Sequence, residues 1–286
     1  MNCAVPVFFA LSGFFLANKK LDDRESRKQF WDKQIPKIYI PCLIWSIPWF
    51  LFSLHPFNIN VLLKELFLVI ICGQSIYYFI AVIIQDYLLL PVLQKKKDSK
   101  ICLLIIALVS FALVFFTTWL NVVKGLHLPL IVFAGPYPLW LVFFFLGVYL
   151  STIERKYSPL LFLALSIIAL CIQVVETQFL LDRYGGGYGI KTSSFLFSFL
   201  FILLLFSKKI ENKYVENKFG KIMGVIGKKS LGIYLSHILI STMIMRFVNI
   251  HSWLIMYVLV LFLDFVLLYL SNKILPKKVL VLIGFE

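Results

Sequence analysis

Val5-Pro6-Val7-Phe8-Phe9-Ala10-Leu11-Ser12-Gly13-Phe14-Phe15-Leu16 is an apolar, aromatic run with one Ser-Gly pair inside it, and it is followed by Asn18-Lys19-Lys20. No charge interrupts it, and cations gather where it stops. This is the signature of a helix that leaves a bilayer on a basic side. Its small residues, Ser12 and Gly13, permit close approach of a neighbouring helix or a ligand. Eight further runs of the same kind follow, so the chain reads as an all-α, polytopic membrane protein. A span needs about 20 mainly apolar residues. Nine segments qualify approximately: 3–18, 38–54, 76–93, 101–120, 137–151, 158–176, 190–207, 231–247 and 253–271. The stretch 61–73 is apolar but short, ends at Gly73, and suits a half-helix or an interfacial segment.

Composition agrees. The chain is 61% hydrophobic and 15% charged, against about 45–50% and about 25% in soluble domains. Its net charge of +14 does not indicate nucleic acid, because the cations lie in short clusters between apolar runs. With the first helix starting outside, the inside loops carry seven Lys/Arg in 19–37, four in 94–100, two in 152–157, seven in 208–230 and three after 271. Only Lys64, Lys124, Arg183, Lys191 and Arg246 of the 28 remain for the outside. The bias holds at every loop and places the C-terminus inside. The five cysteines lie in apolar segments without zinc or disulfide spacing and read as small hydrophobes. No metal-ligand pattern is present. The whole of 1–286 reads as one integral-membrane domain.

An outside N-terminus directly on a helix is the topology expected when one upstream helix is missing. The opening run also differs from a signal peptide, since its positive charges follow rather than precede it.

Several stretches together resemble the membrane acyltransferase-3 family of bacterial integral-membrane sugar O-acetyltransferases. The 5–16 run looks like that family's second helix. Lys33-Gln34-Ile35-Pro36-Lys37-Ile38-Tyr39-Ile40-Pro41-Cys42-Leu43-Ile44-Trp45 resembles its basic, proline- and Trp-bearing entry to the next helix, with Lys where the family often has Arg. Ser75-Ile76-Tyr77-Tyr78-Phe79 through Leu88 is similar to its aromatic helix. Phe143-Phe144-Phe145-Leu146-Gly147-Val148-Tyr149-Leu150 and Ser230-Leu231-Gly232-Ile233-Tyr234-Leu235-Ser236-His237 match later signatures. The resemblance implies a ten-helix bundle, here without its first helix, which carries the family's catalytic histidine. It implies transfer of acetyl from acetyl-CoA, with no bound cofactor, to a hydroxyl of a cell-envelope or extracellular polysaccharide. It also implies a multi-pass place in the bacterial inner membrane, among lipid, acyl-CoA and a glycan acceptor. The alternative from another class is a non-enzymatic exporter or carrier of a polysaccharide or lipid-linked sugar.

Acyl transfer to a hydroxyl needs a base and donors for the oxyanion. Of four histidines, His55, His127 and His251 fall in or beside outside loops, and His237 alone lies within a helix. His237 is therefore the candidate catalytic residue, although a packed histidine bonded to Ser236 or Tyr234 is the commoner role. Ionisable residues inside spans are expensive and rarely face lipid. Asp86, near Gln85, Tyr77 and Tyr78, either lines a polar cavity for sugar or pantetheine or reaches the cytoplasmic headgroups. Ser12, Tyr77, Tyr78 and Asp86 are the candidate substrate-binding residues. Asp264 reads as reaching headgroups and Glu176 as solvated at its helix end. Gln74-Ser75 reads as a helix cap and Gly185-Gly186-Gly187 as a flexible external loop. If acyl-CoA approaches from the cytoplasm, Lys33 and Lys37 can pair with its phosphates; the plain alternative is positive-inside charge meeting anionic lipid.

Overall fold

The computed structural model describes residues 3–53, 58–153, 158–187, 189–207, 217–247 and 252–285. Every regular element among them is helical: α1 (Ala4–Leu16), α2 (Arg24–Ser53), α3 (Ile59–Ile70), α4 (Tyr78–Gln94), α5 (Lys100–Thr118), α6 (Leu130–Ala134), α7 (Tyr137–Leu150), α8 (Pro159–Tyr184), α9 (Thr192–Leu205), α10 (Lys218–Lys228), α11 (Ser230–Phe247), α12 (Trp253–Ile274) and α13 (Lys277–Leu282). Six of the described helices are long and apolar enough to cross a membrane; α1, α7 and α9 are apolar but shorter. Each of the nine expected spans thus has a helix. The 14 residues of α7 extend only about 21 Å at 1.5 Å per residue.

One boundary differs from expectation. The basic segment 19–37 is not a free loop, because α2 begins at Arg24. Asp23 starts it: its carboxylate accepts from the Ser26 amide at 2.7 Å. That bond holds the Asp23 carboxyl below its ordinary range. The folded group is therefore more acidic than the unfolded one, and its contribution is present at neutral pH and lost on acidification. The helix runs through Pro36, Pro41 and Pro48, each of which removes an amide donor.

The described chain forms two compact units, one of residues 1–31 with 81–209 and one of 32–80 with 210–286. In the first, α7 is the centre. From Leu139 to Leu150 only Leu141 escapes burial, as expected of a helix apolar on all sides. α1 lies on α7 backbone to backbone. A Cβ on Gly13 would stand 2.1 Å from the Phe144 carbonyl oxygen, and one on Gly147 would stand 1.9 Å from that of Ala10. The close approach predicted for the Ser12-Gly13 pair is therefore made by Gly13. Aromatic rings fill the flanks: Trp140 lies 5.8 Å from Phe9 and 5.2 Å from Phe195 of α9, ring centre to ring centre.

α1 ends without a glycine stop. Instead the Gln94 side-chain amide donates to the carbonyls of Leu16 (3.1 Å), Ala17 (3.1 Å) and Lys19 (2.9 Å), the groups a helix end leaves unpaired. Gln94→Leu is expected to lower stability by about 1–2 kcal/mol, read as a reduced melting temperature in detergent.

In the second unit α11 packs along α12, and the C-terminal turn folds back on both α2 and α11. The Trp45 indole donates to Ile283 O at 3.0 Å. Lys229 Nζ donates to Phe285 O and Asn272 Oδ1, each at 2.8 Å. Gly284, at φ +76°, turns the chain so that the fully buried Phe285 ring lies over Gly232, where a Cβ would stand 1.8 Å from it.

Candidate active site

Two buried polar clusters stand out, one in each unit. That of the second unit is built on the link between α3 and α4. α3 closes with Gly73 N donating to Leu68 O (2.7 Å) and Cys72 N to Val69 O (3.1 Å), a Schellman arrangement. Cys72 occupies the left-handed position at φ 53°, and Ser75 follows at φ 49°. Two side-chain-bearing residues in this region within four positions are a stored cost, and such costs concentrate at functional sites. The Gln74 side chain does not cap the following turn, contrary to expectation. Its Nε2 donates to Glu65 Oε2 at 3.1 Å, and its buried Oε1 has no partner among the described residues.

Beyond this link lie the tyrosines and α11. Tyr77 is fully buried and its hydroxyl donates to Leu235 O at 2.8 Å. The Tyr234 hydroxyl donates to Ile76 O. Both hydroxyl protons are therefore committed to backbone, so these tyrosines can accept from a ligand but not donate to it. Tyr78 is buried beside them. The buried Trp49 Nε1–H lies beside the Tyr77 hydroxyl without completing a hydrogen bond among the described residues.

His237 lies against Tyr234, ring centres 5.8 Å apart. Its Nδ1 is 3.1 Å from Ile233 O. A carbonyl only accepts, so this contact assigns the proton to Nδ1 and leaves Nε2 as the basic nitrogen. Neither Ser236 nor Tyr234 is its hydrogen-bond partner. Ser236 donates instead to Asp264 Oδ1 at 2.5 Å. Asp264 is 1% exposed and does not reach headgroups; α11 and α12 enclose it, and its Oδ2 lacks a partner among the described residues.

In the first unit Asp86 is 1% exposed, and neither carboxyl oxygen has a hydrogen-bond partner among the described residues. The Tyr137 hydroxyl at the start of α7 lies beside it without completing a bond, and is itself unpartnered. Such burial of Asp86 does not suit a carboxylate that reaches the headgroups. Ser12 is half-buried on α1, while Lys33 and Lys37 are exposed on α2 one turn apart. His127 is exposed at φ 45°; His55 and His251 lie outside the described residues.

Tyr77 and Tyr78 came forward as polar groups near Asp86 and His237 as the one histidine within a helix, and the second unit holds all three. Trp49, Glu65, Asp264 and Tyr137 were missed in this role. Their signal is weak in sequence, since an indole or one carboxylate in an apolar run has no spacing partner nearby.

Six helices of spanning length among the described residues, with further shorter apolar helices, define a polytopic helical membrane protein. Residues 1–272 match the family model Acyl_transf_3, described as an acyltransferase domain, and the chain belongs to that family. No curated protein and no solved structure matches it.

Proposed function

We propose that the chain is an integral-membrane O-acyltransferase that moves acetyl from acetyl-CoA to a hydroxyl of a cell-envelope or extracellular polysaccharide. The observation that carries the reading is the His237 contact with Ile233 O, which commits Nδ1 to the helix backbone and leaves Nε2 as the nitrogen for the acceptor hydroxyl, in a half-buried ring beside Tyr234. In this reading Nε2 takes the proton of the acceptor hydroxyl, and the oxygen attacks the thioester carbon. The tetrahedral oxyanion then collapses with cleavage of the C–S bond, and the departing thiolate recovers the proton from the imidazolium. In the second unit Tyr77 and Tyr78 serve as substrate contacts, Tyr77 as an acceptor only; Ser12 and Asp86 are substrate-binding candidates of the first unit, taken by itself. Lys33 and Lys37 form an exposed pair, spaced i and i+4, for the phosphates of acyl-CoA at the basic, cytoplasmic face. The membrane is the bacterial inner membrane, with the C-terminus on the cytoplasmic side, as the charge bias supports.

Membranes containing the chain, supplied with acetyl-CoA labelled in the acetyl group and with native glycan, are expected to place label on the glycan. Glycan that crosses the membrane unlabelled would instead establish an exporter.

A further inference from the structure

We propose that the first unit carries a binding site for a neutral, hydroxyl-rich ligand where α8 meets α9, formed by Gln173, Glu176, Lys191 and Ser193. It rests on the acyltransferase reading only in taking that ligand to be the acceptor saccharide.

Gln173, Glu176 and Thr177 are spaced i, i+3 and i+4 on α8 and therefore share one face. Glu176 is not left to solvent: its Oε2 accepts from the Ser193 amide at 3.1 Å, at the N-terminus of α9. Lys191 is 2% exposed. Its Nζ donates to Thr177 Oγ1 at 2.5 Å and to Gly187 O at 2.8 Å. The triglycine stretch is accordingly anchored, with Gly187 packed on Leu180, rather than a free external loop. A turn of π-helix, closed by Lys124 N donating to Trp119 O at 2.9 Å, continues α5 here. Thr118 Oγ1 reaches Ile190 O at 3.4 Å, and Val122 touches the Gly186 position. Such turns recur at functional sites.

Within this frame two polar atoms are stranded. Gln173, 8% exposed, and Ser193, 5% exposed, each hold a buried side-chain oxygen without a partner among the described residues: Oε1 and Oγ. Buried polar atoms are nearly always paired, and leaving one unpaired is costly. Their chemistry selects the ligand. Lys191 and Glu176 balance each other's charge, so a charged ligand meets no net opposite charge. Gln173 Oε1 only accepts, whereas the Ser193 hydroxyl both donates and accepts. A ligand bearing several neutral hydroxyls satisfies both, and Lys191 retains a third N–H. Lys124, Arg183 and Lys191 belong to the cation-poor side of the membrane, the outside by charge bias.

The test uses the full chain in lipid nanodiscs and saturation-transfer NMR, with glucose, galactose and N-acetylglucosamine as probes and glucuronate as the charged comparison. At least one neutral sugar is expected to bind, and glucuronate no more tightly. Ser193→Ala removes a hydroxyl without a hydrogen-bond partner among the described residues, so binding should weaken at least fivefold with the melting temperature unchanged. Absence of binding by every neutral sugar, or binding equal in Ser193→Ala, overturns the site. Label transfer to glycan with the site overturned leaves acyl transfer standing. Sugar binding that Ser193→Ala abolishes, without label transfer, leaves the site standing and removes acyl transfer.

Discussion

Gly147→Ala is expected to destabilise the protein by about 3 kcal/mol or more, at the upper end of overpacking effects. The added methyl would lie 1.9 Å from the carbonyl oxygen of Ala10 and 2.9 Å from its Cα. Those are backbone atoms of α1, so no rotamer change relieves the overlap, and the helices must separate. Separation undoes the packing that holds helices together in lipid, where no hydrophobic force between them compensates. The reciprocal change, Gly13→Ala, meets the Phe144 carbonyl at 2.1 Å and should act in the same direction. Gly224→Ala on α10 is the control. Nothing lies within 4 Å of its Cβ, so the change should be neutral or stabilising by up to about 1 kcal/mol through helix propensity. Melting curves of the three variants in one detergent check this order; equal losses for Gly147 and Gly224 would refute the α1–α7 contact.

His237→Ala is expected to reduce acyl transfer by about 10²- to 10⁴-fold, the range for losing a general base, with membrane insertion and yield unchanged. The reason for sparing the fold is local. The side chain makes one hydrogen bond, to Ile233 O in its own helix. Its ring is half-buried rather than enclosed. Asp264→Asn is a milder companion. The amide oxygen still accepts from Ser236, which bonds to Asp264 Oδ1 at 2.5 Å, while the carboxyl group next to the His237 segment is gone. A loss of about tenfold is expected, corresponding to about 1.4 kcal/mol. Full activity in His237→Ala would reduce the residue to packing and move the base elsewhere.

The class of this protein was legible from residue order alone. Apolar runs of about 20 residues fix helices because lipid offers the backbone no other partner, and clustered Lys/Arg orders them across the bilayer. The motif pairs around Gly13 and Gly147, and around Gly232 and His237, carried the family resemblance. They also mark contacts: Gly147 against Ala10, and Gly232 beneath Phe285. The polar interior was legible only in part. Tyr77, Tyr78, Asp86 and His237 stood out as rare polar groups in apolar runs.

What each polar group bonds to was decided by tertiary structure. Asp264 and Glu176 resembled helix-end charges because sequence gives depth along a helix but not the side it faces. Packing set Asp264 against Ser236, 28 residues away, and Glu176 on the α9 amide, 17 residues away. Hydrogen bonds reach only about 3 Å and are directional, so partners separated by a whole helix become visible only once the helices dock. Sequence thus determined a multi-span helical membrane protein of the acyltransferase family. The docked helices decided which tyrosine protons are spent on backbone, which carbonyl the His237 ring meets, and which buried oxygens have no partner among the described residues.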